Sequence, residues 1–438
     1  MKIESYASNL ERFRELYREV DRSEIMAAWD RCTNPNLHVY VHTPFCASVC
    51  KFCYYKGVEF DKRSEEALYR QYFDDYLPRT MEPFFPVIES KTVRNYFFGG
   101  GTPSLMSLET MEALFNRLPK FRETDSKTFE VHPAVWSREQ IDLLADFGFS
   151  CCIVGVQSYD AEVLARQNRL YASPDSIHEL VDYIKSKGMA VAGDLIYYMD
   201  RINADQIFAQ DLEHAHDSGF DILSLQLNYD LLKKKHLNDR FFDLVMRSRI
   251  ASDYIWEFEG ERTLTVEYKQ TLKCLRVIRK DVSREDYRDR FFNFIPTMDE
   301  GSKHLGKLGQ RPSVIGFGSY RNPRKNTFSN IRDNDSLYEY IEVNDDWEPR
   351  HFVTYEWYEE RYFDDAIAQL NELRELGPPP KGLRLCFENK LNVKNEDHII
   401  REPDSQAVLS VVWDYRDEST DRYIDQLRLK FPHWKWNR

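Results

Sequence analysis

The sequence predicts an α/β fold: a partial (β/α)6 barrel of parallel strands, preceded by a helical segment and followed by an additional α+β region. Three observations carry this. At 438 residues the chain exceeds one ordinary domain. Between Leu37 and Asn228 short apolar runs alternate with longer amphipathic ones, and strands alternating with helices are most economically solved as a parallel sheet with right-handed crossovers. Residues with chemical handles also fall where the short runs end, as they do in complete α/β barrels.

The elements follow in order. Residues 1–36 form an N-terminal helical segment, because Leu10, Phe13 and Leu16 keep helical spacing between Glu4 and Ala28. In residues 37–229 the strand candidates are Leu37 to His42, Val93 to Phe98, Thr128 to His132, Ser150 to Val156, Met189 to Tyr197 and Asp221 to Leu227. Helical patterns intervene around Ser64 to Phe85 and at Leu108 to Leu118, Arg138 to Phe147, Pro174 to Lys187 and Ala204 to Ser218. Six strands leave such a barrel open at the side, with room for a larger substrate than a closed barrel admits. From 230 to 438 the alternation breaks down. Val314 to Tyr320 reads as a strand entering a glycine turn, and Tyr355, Tyr358, Tyr362, Ile367, Leu370 and Leu373 read as the packed face of a helix that Gly377 and Pro378 end.

Composition excludes several classes. A formal charge of -13 argues against a phosphate-tracking surface, which needs concentrated Lys and Arg. The dense basic run Lys233-Lys234-Lys235-His236 reads as a solvated face. No apolar run reaches transmembrane length, and the Met-Lys-Ile-Glu-Ser start lacks a signal-peptide pattern. A cytoplasmic protein without nucleic-acid or membrane partners is expected, its eight cysteines reduced.

The sharpest motif is Cys46, Cys50 and Cys53, which follow the first strand in a C-x-x-x-C-x-x-C run. Clusters of the 4Fe-4S type usually take four thiolates. Three closely spaced cysteines with no fourth nearby reserve one iron for an exogenous ligand, and the amino and carboxylate groups of S-adenosylmethionine suit it. Structural zinc would need four ligands, which His42 completes only awkwardly. The remaining cysteines, Cys32, Cys151, Cys152, Cys274 and Cys386, lack cluster spacing.

Other handles gather at strand ends. Gly99, Gly100 and Gly101, stiffened by Thr102 and Pro103, allow close backbone approach to a ligand but are also an ordinary turn. Glu130 and Asp194 are carboxylates in apolar strands, where burial demands a partner: a ribose diol or ammonium, or else a salt bridge. Arg169 could clamp a carboxylate with its planar fork, and with Asp194 is expected to lie away from the metal loop.

The cysteine run, Phe97-Phe-Gly-Gly-Gly-Thr-Pro-Ser104, Phe129-Glu-Val-His-Pro133, Gly155-Val-Gln-Ser-Tyr-Asp160, Arg169 and Asp194-Leu-Ile-Tyr197 together resemble the radical S-adenosylmethionine superfamily, and within it oxygen-independent coproporphyrinogen III oxidase and its relatives. The resemblance spans about Leu37 to Asn228. It implies a 4Fe-4S cluster on Cys46, Cys50 and Cys53, with Tyr40, Gly100, Gly101, Thr102, Glu130, Gln157, Arg169 and Asp194 around a first S-adenosylmethionine. It further implies a second S-adenosylmethionine at Asn228 and Ile315, Gly316, Phe317 and Gly318, with flavodoxin or ferredoxin as electron donor. Two departures stand out: Tyr54-Tyr55-Lys56 follows the third cysteine where the oxidase has a further cysteine, and the chain beyond Asp230 matches poorly.

The expected function is therefore a radical enzyme that builds a carbon–carbon bond on a small-molecule acceptor, by methylation or cyclopropanation, with the second S-adenosylmethionine as carbon donor. The alternatives are a haem-pathway decarboxylase or haem-opening methyltransferase and, from another class, a haem-binding chaperone. Tyr320 and His132 are weak acid/base candidates, each more readily structural.

Overall fold

A computed structural model describes residues 14, 17–53, 57–61, 65–124, 126–197, 202–228, 235–256, 274–282, 312–319, 328–333, 336–358, 383–388, 408–413 and 418–430. It opens with a short strand, β1 (Arg18–Val20), and a helix, Arg22–Arg31, whose start is fixed by the Asp21 carboxylate accepting the Glu24 N–H. The single helix expected from Glu4 to Ala28 is thus interrupted at Asp21, a residue that competes with helix interiors and favours caps. Leu10, Phe13 and Leu16 lie outside the described residues.

All six expected strands are present: β2 (Asn36–Thr43), then, after the short pair β3 (Phe45–Cys46) and β4 (Val58–Glu59), β5 (Thr92–Gly100), β6 (Lys127–Val131), β7 (Cys151–Gln157), β8 (Ala190–Tyr197) and β9 (Ile222–Leu227). They pair in parallel in that order, β2-β5-β6-β7-β8-β9. The crossover helices begin where hydroxyl or carboxylate caps demand it. Ser107 caps Leu108–Arg117, Ser137 with Gln140 forms a capping box on Arg138–Asp146, and Ser173 caps Pro174–Ser186 behind a first-turn proline. Gly219, in the left-handed region at φ 72°, ends Ala204–Ser218. An extra helix, Ala161–Arg166, capped by Asp160, follows β7.

Alternation along β2 sorts the two layers. Leu37, Val39 and Val41 enter the main hydrophobic core, while His38, Tyr40 and His42 share the opposite face. On the core side Phe98, Phe115, Phe121, Phe129, Phe147 and Phe149 form one mutually packed aromatic group. The second face carries the smaller cluster of Cys151, Ile153, Ala190, Ala192 and Ile222.

The later part of the chain extends this same sheet. After β10 (Tyr254–Trp256) and β11 (Cys274–Arg279), which add antiparallel beyond β9, β12 (Ser313–Phe317) returns to pair in parallel with β2. A seventh parallel strand therefore flanks the expected six. β13 (Phe328–Arg332), β14 (Ser336–Asp345), β15 (Glu348–Tyr358) and finally β1 continue the sheet antiparallel, so that thirteen of the described strands form one sheet. Tyr355 and Tyr358 belong to β15, paired with Glu339 and Ser336, which corrects the helical reading there. Tyr362, Ile367, Leu370 and Leu373 are outside the described residues. A separate pair, β16 (Leu383–Glu388) and β17 (Val408–Trp413), and a helix, Glu418–Lys430, complete the described chain.

Candidate functional site

The three cysteines occupy the loop leaving β2. Cys46 and Cys50 are buried and Cys53 is partly exposed. Two backbone clasps fix the loop. Val58 N–H donates to Pro44 O and Phe60 N–H to Cys46 O, at 2.8 and 3.0 Å. On the other side, Gly101 N–H donates to Thr43 O at 2.5 Å and Thr102 N–H to Phe45 O at 2.7 Å. Glycine is required at both clasps: a Cβ on Gly57 would sit 2.5 Å from Cys46 Sγ, and one on Gly101 2.9 Å from it. The expected glycine cradle thus spends the N–H groups of Gly101 and Thr102 on the cysteine loop, and that of Gly100 on Glu130 Oε2 at 3.1 Å.

A third clasp comes from behind β7. Asn168, at φ 54°, turns the chain sharply at the end of helix Ala161–Arg166. Lys51 N–H then donates to Gln167 O at 2.9 Å, and Asn168 Nδ2 to Val49 O at 3.0 Å. Arg169 is delivered directly to the metal loop, its Nη1 3.6 Å from Cys50 Sγ and its Nη2 bonded to Gly155 O. The expectation that Arg169 lies apart from that loop is corrected: the left-handed turn at Asn168 brings it back.

Burial, then the charge of neighbouring Cys53, pushes the Cys46 thiol up to about 12. Among the described residues no group of three or more His, Cys, Asp or Glu closes around a point that would hold a metal ion. Three cysteines on one loop, with Gly57 and Gly101 keeping side chains away from the Cys46 sulfur, fit the corners of a cluster. Iron loading would have to displace the Cys46 proton.

Beside the loop lie two carboxylates. Burial, and then the nearby Asp194 charge, raise Glu130 to about 8 despite the Gly100 N–H bond. Two acids held this close favour a bound ammonium or diol between them. Tyr40 lies across the sheet from Phe97, with ring centroids 5.6 Å apart, and its hydroxyl is 3.0 Å from His42 Nδ1. Gln157 ends β7 in the left-handed region at φ 70°, next to a register shift. The amide that aims beside Gly155 is therefore set by a strained turn.

The expected second-cofactor residues fall differently. Asn228 follows β9, its N–H bonded to Tyr197 O at 3.0 Å, whereas Ile315 to Gly318 follow the line of β12, at the opposite flank of the parallel array. Ile315 and Phe317 are core residues, and Gly316 N–H is held by Ser329 Oγ at 3.0 Å. A Cβ on Gly318 would collide with Tyr72 Oη and lie 3.0 Å from Leu77 Cδ1. Tyr320 lies outside the described residues. His132 is buried beyond the end of β6. Missed altogether were His42 as the partner of Tyr40, Gly57 beside Cys46, and the buried Tyr76–Glu342 pair, hydrogen-bonded at 3.0 Å. Only an isolated glycine shortly after the cysteines signalled any of these.

Residues 40–209 match the model of the Radical SAM superfamily. The chain is 27% identical over 217 residues to the anaerobilin synthase of Escherichia coli, covering 47% of each. To an oxygen-independent coproporphyrinogen III oxidase of Helicobacter pylori it is 26% identical over 199 residues, 44% of this chain and 42% of the relative. To the haem chaperone HemW of Buchnera aphidicola it is 26% identical over 191 residues, 42% and 46%. The chain thus matches less than half the length of these curated relatives. Among solved structures, coproporphyrinogen III oxidase (HemN) from Escherichia coli shares the fold at a TM-score of 0.55 and 18% identity, over 80% of this chain and 73% of that one. No helix among the described residues is long and apolar enough to cross a membrane. The three-cysteine loop, the strand order and these likenesses agree: residues 40–209 form a radical S-adenosylmethionine domain, similar to that of HemN-like proteins.

Proposed function

We propose that the protein uses one S-adenosylmethionine as a radical source and a second as carbon donor, building a carbon–carbon bond on a small-molecule acceptor. The observation that carries the radical half is the meeting of Cys46, Cys50 and Cys53 with Arg169 on one side and the Glu130–Asp194 pair on the other. A 4Fe-4S cluster held by the three cysteines would supply, once reduced by a flavodoxin or ferredoxin, the electron that splits the sulfonium of S-adenosylmethionine. The chain's own residues would do the rest. Glu130 and Asp194 would take the ammonium or ribose diol, Arg169 an anionic group, and Tyr40, fixed by His42, would wall the adenosyl end. Gln157 would contribute its amide from the strained end of β7. Orientation and exclusion of water are the protein's task in such chemistry.

For the second cofactor, Asn228 and the main chain of Gly316 and Gly318 are proposed contacts; Ile315 and Phe317 would serve only as support from the core. Residues 40–228 would supply the first-cofactor site, and the later strands would add a substrate region at its flank. A haem-pathway reaction is the second reading, favoured by relatives named anaerobilin synthase and coproporphyrinogen III oxidase. Turnover with methyl-deuterated S-adenosylmethionine separates them. Deuterium in both product and 5′-deoxyadenosine supports the two-cofactor reading; substrate hydrogen in deoxyadenosine, with carbon dioxide released and no methyl label retained, overturns it in favour of decarboxylation.

A further inference from the structure

We propose that His132 is a cofactor-binding residue, its Nε2–H joining the Nε–H of Arg169 to receive the carboxylate of S-adenosylmethionine. The inference rests on the reading of this site as an S-adenosylmethionine site. His132 lies two residues beyond Glu130 on the line of the same strand, at the end of the sheet where the cysteine loop emerges. Its position is fixed three times over. Its N–H donates to Ser104 Oγ at 3.1 Å, its carbonyl accepts Val135 N–H at 2.9 Å, and its ring Nδ1 accepts Ala134 N–H at 3.1 Å.

The last bond decides the tautomer. A ring nitrogen that accepts from an amide has no proton of its own, so the neutral imidazole carries its proton on Nε2. Burial, and then the Arg169 charge, push His132 down to about 3, keeping it neutral. That Nε2–H is sealed from solvent and has no protein partner. The residue as a whole is 7% exposed.

Val131 pairs with Val154, which puts His132 level with Gly155, the residue whose carbonyl holds Arg169; Arg169 has a second such donor. Its Nη1 and Nη2 are occupied by Cys50 Sγ and Gly155 O, while its Nε is equally buried and partnerless. Buried donors are nearly always satisfied, so two neighbouring ones, from different loops of the chain, describe a place for an acceptor. A neutral acceptor would leave the guanidinium uncompensated; a carboxylate answers the charge and has an oxygen for each donor. The place borders the cysteine loop, while the acids Glu130 and Asp194 suit the opposite pole of a zwitterion. The methionyl end of S-adenosylmethionine is such a zwitterion.

The test is direct binding to the anaerobically reconstituted protein, by calorimetry, of S-adenosylmethionine and of its decarboxylated analogue. His132→Asn keeps an oxygen for Ala134 N–H but loses the distal donor; His132→Gln restores a donor at that reach. We expect His132→Asn to weaken S-adenosylmethionine by about tenfold or more, the range for a hydrogen bond to a charged group. It should leave the decarboxylated analogue, the iron content and the thermal midpoint unchanged, while His132→Gln recovers most of the loss. Equal affinity of wild type and His132→Asn for S-adenosylmethionine would mean that the imidazole only fastens the turn at Ala134. Parallel weakening of both ligands, or a Gln variant no better than Asn, would equally overturn the carboxylate contact. Wild-type protein that binds neither ligand would instead refute the underlying reading of the site, and the inference with it.

Discussion

Gly101→Ala probes whether the glycine run is there to hold the cysteine loop. An added Cβ would lie 2.9 Å from Cys46 Sγ and closer still to the Phe45 carbonyl oxygen. Packed heavy atoms normally sit at about 3.5–4.0 Å, so the thiol would have to retreat by roughly half an ångström or more. The carbonyl cannot yield, because it accepts Thr102 N–H at 2.7 Å while Gly101 N–H is itself bonded to Thr43 O. Overpacking of this kind costs about 1–3 kcal/mol, and here the strain falls on a cluster ligand. Gly188→Ala is the control: Gly188 is at φ 77° with nothing within 4 Å of an added Cβ, so it should cost about 1–2 kcal/mol of backbone strain far from the cysteines. Anaerobic reconstitution followed by iron and sulfide assay should give a full cluster in the Gly188 variant and a markedly depleted one in the Gly101 variant, at similar thermal midpoints. Wild-type iron content in Gly101→Ala would refute the reasoning.

Asp194→Asn should let Glu130 ionise at lower pH, since the Asp194 charge is one cause of its rise, and should weaken S-adenosylmethionine by about 1.5–3 kcal/mol; unchanged affinity by calorimetry would count against any contact there. Gly318→Val, at φ 84° and against Tyr72 Oη, should lower the thermal midpoint and suppress deoxyadenosine and product alike. A stable variant that loses product alone would instead mean that the second cofactor fills open space beside this glycine and does not merely touch its main chain. In the cluster-free protein, burial raises Glu342 from 4.5 to about 7, so the folded state keeps a proton that the unfolded chain releases. Stability then falls as pH rises through that window, by up to about 1.4 kcal/mol per pH unit. Glu130 extends the fall toward pH 8. His42 and His351, depressed from 6.5 to about 4 by burial, act oppositely, but only below pH 6.5. Urea midpoints should therefore decline from pH 6.5 to 8, less steeply in Glu342→Gln; a rising wild-type profile would contradict this.

The barrel strands were legible because each is a short apolar run closed by a turn signal, and the intervening helices announce themselves through caps such as Ser137 and Ser173. The break at Asp21 was not, because apolar spacing continues through it and only the cap chemistry of the aspartate marks the boundary. Tyr355 and Tyr358 sit three apart, which suits a helix; their strand is imposed by pairing with β14, a tertiary effect that local periodicity does not carry. Nothing local says that Val314 belongs beside His38, so the seventh parallel strand was invisible. At the site, the cysteines, Glu130 and Asp194 could be read from residue type and place. The approach of Arg169 to Cys50 could not, since it depends on one left-handed turn at Asn168. Nor could the locked tautomer of His132, which depends on a ring nitrogen meeting the amide two residues on.

The measurement that bears most directly on the account is electron paramagnetic resonance of the anaerobically reconstituted, reduced protein before and after addition of S-adenosylmethionine, with 5′-deoxyadenosine assayed in the same samples. The account predicts one 4Fe-4S signal that changes on addition of the cofactor, deoxyadenosine formed under reduction, and loss of both when Cys46, Cys50 or Cys53 is replaced by alanine. Stoichiometric zinc with no iron uptake, or a cluster whose signal ignores S-adenosylmethionine, would contradict it.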